Sequence, residues 1–168
     1  DLKNFNKAAK EDAELESKGK EEFRKLEGGD KANRKLWKKF CKASLSEMRG
    51  IYKRFNIGFD QYIGESFFED ELSPLVKDLV AKGLAERSEG ALIIKLDDLN
   101  LPPALVQKSD GTSLYITRDI AALEYRARKY KPDRLLYVIG NEQTLQFQQL
   151  FAIAGMIGIA KGVDLEHV

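Results

Sequence analysis

The feature that most constrains the fold is an alternation of strand-like and helical segments in the last third of the sequence. Apolar, strand-like runs occur at 114–117 and 135–139, and helical periodicity follows them at about 119–130 and 143–156. Strands that alternate with helices of this length form parallel α/β units. The sequence therefore predicts two neighbouring parallel strands joined by a right-handed crossover.

The carboxyl ends of these two strands bring polar side chains to one edge of the predicted sheet, where open α/β sheets bind ligands. The set consists of Tyr115, Arg118, Asp119, Asn141, Glu142 and Gln143. Its chemistry suits a cation, because a carboxylate can accept paired hydrogen bonds from a planar guanidinium while a phenol and an amide orient it. Alternatively, Asp119 caps the helix that begins there. Spacing alone leaves both interpretations open.

The first third of the sequence indicates helices. Charged and spaced apolar residues predict one helix over 1–27, and Asp30 is the expected N-cap of the next. Ser44 and Glu47 have the spacing of a capping box, which predicts a break and a new helix. The middle third predicts a helix near 72–80, a strand at 92–96, and a hairpin that pairs 104–108 with 112–117 around an Asp-Gly turn.

Composition excludes several classes of function. The net charge is +1 although 33% of the residues are charged, so bulk attraction to nucleic acid is not expected. A single cysteine, Cys41, and a single histidine, His167, provide neither a disulfide nor a zinc site. No apolar run is long enough to cross a membrane, and a cytoplasmic location is expected. The first and last residues suggest an excerpt of a longer protein.

A basic stripe on the second helix is a weaker candidate for a functional surface. It contains Lys31, Arg34, Lys35, Lys38 and Lys42. These side chains could touch a phosphate backbone. A solvated helix face is the simpler interpretation, because such charge runs usually only keep a helix soluble.

Two strings near the predicted sheet edge are distinctive: KSDGTSLYITRDIAA at 108–122 and YVIGNEQTLQFQQLF at 137–151. Both resemble the arginyl-tRNA synthetase family. KLEGGD at 25–30, FDQYIGES at 59–66 and KGLAERSEGA at 82–91 resemble the same family in the same order. The resemblance implies a class I synthetase fold of the α/β class: a partial Rossmann-type sheet over 104–168, a helical segment over 1–57 and a small α+β insertion over 58–103.

The resemblance also implies site residues and an activity. Tyr115 and Asp119 would contact the guanidinium of arginine, and Gln143 would face its amino-acid moiety. Many relatives have histidine where this sequence has Gln146, which leaves any ATP contact there open. The implied enzyme activates arginine with ATP and Mg²⁺ and transfers it to tRNA(Arg). The His-Gly-His signature, the lysine-bearing loop and a second pocket carboxylate are expected outside these residues, so the chain is expected to be inactive alone.

Two other classes of function remain open from the sequence. One is a binding or regulatory module that kept the synthetase fold and lost its chemistry. The other is a synthetase for a different amino acid. An aliphatic substrate would leave the carboxylate of Asp119 facing apolar atoms, at a cost of a few kcal/mol in selectivity.

Overall fold

The computed structural model describes residues 2–168, with the side chains at 2–4, 6, 11 and 27 outside the described set. The chain divides into two compact units, one up to Tyr62 and one from Ile63 to Val168. The division at 57 and 103 expected from the resemblance stays a prediction. None of the described helices is both long and apolar enough to cross a membrane.

The first unit consists of helices α1 (Leu2–Glu11), α2 (Ala13–Glu27) and α3 (Lys31–Arg54). The prediction of one helix over 1–27 is wrong, because the carboxylate of Asp12 caps a fresh start. It accepts hydrogen bonds from the backbone N–H groups of Glu14 and Leu15 at 2.9 and 3.1 Å. Asp30 caps α3 in the same way, which confirms that prediction.

The predicted break at Ser44 is also wrong, because α3 runs through it as one helix of 24 residues. Ser44 and Glu47 are both exposed on this helix. A serine in a helix interior is tolerated when its side chain faces water instead of competing for backbone hydrogen bonds. The capping-box spacing is therefore a coincidence here.

The second unit begins with a 3₁₀ turn at Glu65–Phe68, which continues into helix α4 (Glu69–Ala81). An antiparallel three-stranded sheet follows, in the order β1-β2-β3. Its strands are β1 (Glu86–Ser88), β2 (Ala91–Ile94) and β3 (Ala104–Gln107). The predicted helix and the strands at β2 and β3 are confirmed, whereas β1 was not predicted.

The last part of the chain contains helix α5 (Tyr115–Tyr130), strand β4 (Arg134–Tyr137), helix α6 (Thr144–Ile157) and strand β5 (Asp164–His167). β4 and β5 pair in parallel, and α6 forms the connection between them. A parallel β-α-β unit is therefore present, but it does not use the predicted pair of strands. The predicted strand at 114–117 is wrong, because α5 begins at Tyr115.

Burial explains why α5 begins so early. Ile116, Ile120 and Leu123 follow the i, i+4, i+7 spacing of a helix face, and all three are buried. Thr117 is fully buried, and its hydroxyl donates a 2.5 Å hydrogen bond to the Val106 carbonyl oxygen. The second arm of the predicted hairpin is not a strand: it keeps an isolated bridge between Gln107 and Ser113 and two backbone hydrogen bonds to the first arm. The tertiary contacts thus override the β-branched character of this stretch.

One hydrophobic core joins the helices and the antiparallel sheet of the second unit. Its fully buried side chains come from α4, β2, β3, α5 and α6, and they include Leu79, Ile94, Val106, Ile120 and Leu150. Because α5 and α6 both anchor in this core, the first turns of the two helices are held in fixed positions.

Candidate functional site

Asp119 lies in the second turn of α5, with its side chain directed towards α6. The residue before this helix, Leu114, makes no side-chain capping bond, and Asp119 is the helix's fifth residue. Its carboxylate instead accepts a hydrogen bond from the Nε2 of Gln146 in the first turn of α6. The interpretation of Asp119 as the cap of its own helix is therefore wrong.

The Asp119 carboxylate lies in an environment that disfavours its negative charge. Burial is the main cause and raises the pKa of Asp119 above its ordinary value. The hydrogen bond from Gln146 and the positive charge of Arg126 lower this pKa, while the negative charge of Glu65 raises it further. No described side chain forms an ion pair with Asp119. Asp119 is thus a half-buried carboxylate that senses the positive charge of Arg126 but forms no ion pair with a described side chain.

Arg126, whose positive charge lowers the pKa of Asp119, makes its own contacts with Tyr137. Its Nη1 donates a 3.3 Å hydrogen bond to the Tyr137 hydroxyl, and its guanidinium carbon lies 5.4 Å from the centre of the Tyr137 ring. Burial raises the pKa of Tyr137, and the negative charge of Asp119 adds a smaller contribution in the same direction. Arg126 therefore moderates the field at Asp119 without neutralising its carboxylate through direct contact.

Tyr115 and Gln143 each lie one turn from the contact between Asp119 and Gln146. Tyr115 precedes Asp119 by four residues on α5, so the two share a helix face. Its side chain is exposed. Gln143 closes the 3₁₀ turn Asn141–Gln143 immediately before α6, and it is also exposed. Both residues remain predictions as ligands of the substrate.

Arg118 of the predicted sheet edge, and His167, the single histidine, make contacts away from the Asp119 carboxylate. Arg118 forms a 3.2 Å ion pair with Glu69 and donates a 3.3 Å hydrogen bond to the Ser113 carbonyl oxygen. It therefore ties the segment before α5 to α4. His167 stacks on the ring of Phe147, and its Nε2 lies 2.8 Å from the Ile139 carbonyl oxygen.

Sequence reasoning missed Glu65 and the contact made by Gln146. Glu65 lies far from Asp119 in the chain and reaches its neighbourhood only because the 3₁₀ turn Glu65–Phe68 packs against α5. Phe67 and Phe68 of this turn contact the ring of Tyr125 on α5 at 5.1 and 5.7 Å between ring centres. No local pattern carries that signal. The described side chains contain no group of three or more potential metal ligands.

A family model covers the whole sequence. The model described as "tRNA synthetases class I (R), catalytic domain" matches residues 1–168. The chain therefore belongs to this family of class I tRNA synthetases. Similar curated proteins are named arginine–tRNA ligase: those of Levilactobacillus brevis, Lactococcus lactis and Clostridium acetobutylicum are 45%, 43% and 41% identical over 164 residues. The matched region is 98% of this chain but only 29% of the length of each of these relatives.

Solved structures show the same fold. The crystal structure of arginyl-tRNA synthetase from Plasmodium falciparum matches with a TM-score of 0.79 and 28% identity, over 93% of this chain and 28% of that one. A putative arginyl-tRNA synthetase from Campylobacter jejuni matches with a TM-score of 0.69 over 90% of this chain and 34% of that one. The latter is only 14% identical and supports the fold alone.

Proposed function

We propose that this chain is part of an arginine–tRNA ligase and that it supplies part of the arginine pocket. The complete enzyme activates arginine with ATP, with Mg²⁺ as the companion ion, and transfers the arginyl group to tRNA(Arg). The relatives named above support this activity. By the same relationship we propose that the enzyme is cytoplasmic. We also propose that β4 and β5 belong to a larger Rossmann-type sheet, with α6 as the connection between them.

The observation that carries the proposal is the Asp119 carboxylate, half-buried and without an ion-pair partner among the described side chains. Burying a carboxylate is unfavourable unless a cation or several hydrogen bonds compensate for the lost water. A guanidinium offers both, since it is always protonated and its N–H groups match a carboxylate in pairs. A perturbed carboxylate of this kind is typical of a functional site.

Three other side chains complete the proposed pocket. Tyr115 shares a helix face with Asp119 and provides a phenol for the guanidinium. Gln143 provides an amide for the amino-acid moiety from the start of α6. Glu65 adds a negative charge that Asp119 senses, and we propose it as a carboxylate of the pocket beside the one expected outside these residues. A monovalent cation with many N–H donors suits such a pair of carboxylates.

These residues bind and orient arginine and do not themselves take part in bond making. Positioning the amino acid near ATP is their contribution to the rate, because a well-oriented substrate converts a bimolecular reaction into an effectively unimolecular one. We assign no residue of this chain to ATP, to Mg²⁺ or to tRNA.

Amino-acid-dependent exchange of pyrophosphate into ATP tests the proposal in the complete protein. We expect exchange with arginine and background exchange with lysine, glutamine, leucine and citrulline, the neutral analogue of arginine. Equal exchange with citrulline would contradict a charge-based pocket. Exchange with another amino acid in place of arginine would contradict the proposed specificity.

A further inference from the structure

The hydrogen bond between Gln146 of α6 and Asp119 of α5 gives Gln146 a role in the proposed pocket through Asp119. The amide of Gln146 donates to one carboxylate oxygen of Asp119, Oδ2. We infer that Gln146 is a positioning residue, which fixes the orientation of the Asp119 carboxylate so that its remaining lone pairs are directed at the guanidinium of arginine. This inference rests on the proposed function of the same site.

The carboxylate needs such a partner because its own helix does not hold it. Asp119 neither caps α5 nor forms an ion pair with a described side chain. An aspartate side chain has two rotatable bonds, and an unheld carboxylate would lose conformational freedom when the ligand binds. A hydrogen bond made before binding reduces that loss, which is the general advantage of a preorganised site.

Gln146 is itself held by the packing of its neighbour. Phe147 is buried and packs on the rings of Tyr137 and His167, each with 5.0 Å between ring centres. The backbone of the first turn of α6 is therefore fixed against β4 and β5. The Gln146 side chain is only partly exposed and reaches α5 from this fixed point.

The geometry also leaves acceptor capacity for the ligand. A carboxylate offers about four lone-pair sites, and Gln146 uses one of them. Two other groups act on Asp119 through their charge: Glu65 from the 3₁₀ turn and Arg126 from α5. Gln146 is thus the described side chain that sets the direction of the carboxylate by direct hydrogen bonding.

The test compares two glutamines of α6 in the complete protein by titrating arginine calorimetrically. Gln146→Leu removes the donor to Asp119 and should raise the Kd for arginine about tenfold. Gln149→Leu is the matched control, because the Gln149 amide donates to the carbonyl oxygens of Pro102 and Pro103 at 2.9 and 3.4 Å, away from Asp119. Its Kd should stay within about twofold of the unchanged protein.

A double-mutant cycle distinguishes positioning from a general structural effect. If Gln146 acts through Asp119, Gln146→Leu should raise the Kd by a factor of less than about two in a protein that already carries Asp119→Asn. Effects that multiply in the double variant would overturn the inference. An unchanged Kd in Gln146→Leu, with a raised Kd in Asp119→Asn, would overturn the inference about Gln146 and leave the proposed function standing. An unchanged Kd in Asp119→Asn would overturn the proposed function together with it.

Gln146→His provides an independent test, which also applies if the leucine variant does not fold. Its neutral imidazole retains a donor, so at pH 8 the Kd for arginine should lie within about threefold of that of the unchanged protein. Below about pH 6.5 the imidazolium would pair with Asp119 and compete with the guanidinium, so the affinity should fall. A histidine variant whose affinity does not change between these pH values would contradict the contact on which the inference depends.

Discussion

Replacing Asp119 with asparagine should weaken arginine binding and strengthen the folded state at the same time. For binding, the change removes a charge-assisted pair of hydrogen bonds to the guanidinium, and hydrogen bonds to charged groups contribute about 1.5–3 kcal/mol. That range corresponds to a factor of about 10 to 150 in Kd. Because Asp119 is only half-buried and solvent screens part of the interaction, we expect the lower part, about 10- to 40-fold.

For stability the expected sign is opposite. Burial raises the pKa of Asp119 above its ordinary value of 3.8, so the folded state holds this proton more tightly than the unfolded state does. The stability that follows is fully present below the unfolded pKa and is lost as the pH rises through the folded pKa. Asparagine does not ionise, so the variant should be more stable than the unchanged protein at neutral pH. The difference should disappear below about pH 4.

Two assays check these opposite signs on the same variant. Calorimetric titration gives the Kd for arginine and for citrulline. The Kd for citrulline divided by that for arginine should fall towards one in Asp119→Asn, because only arginine loses a charged partner. Urea unfolding at pH 7 and at pH 3.5 gives the two stabilities. A variant that is less stable at pH 7 and binds arginine normally would refute the reasoning, because Asp119 would then be a structural group.

Three further predictions concern the parts of the fold that position the site. Leu150→Ala should lower the free energy of unfolding by about 2–5 kcal/mol in urea titrations, because Leu150 is fully buried, whereas Leu145→Ala on the exposed side of α6 should change it by less than about 0.5 kcal/mol. Thr117→Val should lower the free energy of unfolding by about 0.5–1.5 kcal/mol in the same titrations, since the Val106 carbonyl oxygen loses the hydroxyl donor and retains the Leu114 N–H at 3.3 Å. Asp30→Ala should lower the stability of α3 by about 1 kcal/mol, visible as lost helical circular dichroism on mild heating; an unchanged melting curve would contradict its capping role.

Features with local causes could be predicted from the sequence. Asp30 was predicted as a cap because the side chain satisfies backbone groups only two and three residues ahead of it. α6 was predicted nearly to the residue, since its apolar face repeats over the whole helix. The Asp-Gly turn at 110–111 also forms, with the Asp110 carboxylate accepting from the Thr112 N–H at 2.9 Å.

Features with distant causes could not be predicted in this way. The stretch 114–117 contains β-branched residues, and its helical state depends on burial against β3 and the rest of the core. β5 is short and contains Asp164 and Glu166, residue types that are depleted in strands, and its extended form results from pairing with β4.

The site followed the same division between local and distant causes. Asp119 stood out by its residue type within a polar cluster, although its position was expected at the end of a strand. Its contact with Gln146 depends on how α5 packs on α6, across 27 residues of sequence. The influence of Glu65 depends on a still longer separation.

A structure of the complete protein with bound arginine tests the role of Asp119 most directly. We predict that the guanidinium nitrogens lie about 2.7–3.2 Å from the Asp119 carboxylate oxygens, with the Gln146 amide still donating to Oδ2. A guanidinium bound elsewhere, with Asp119 contacting only Gln146, would contradict the proposed pocket.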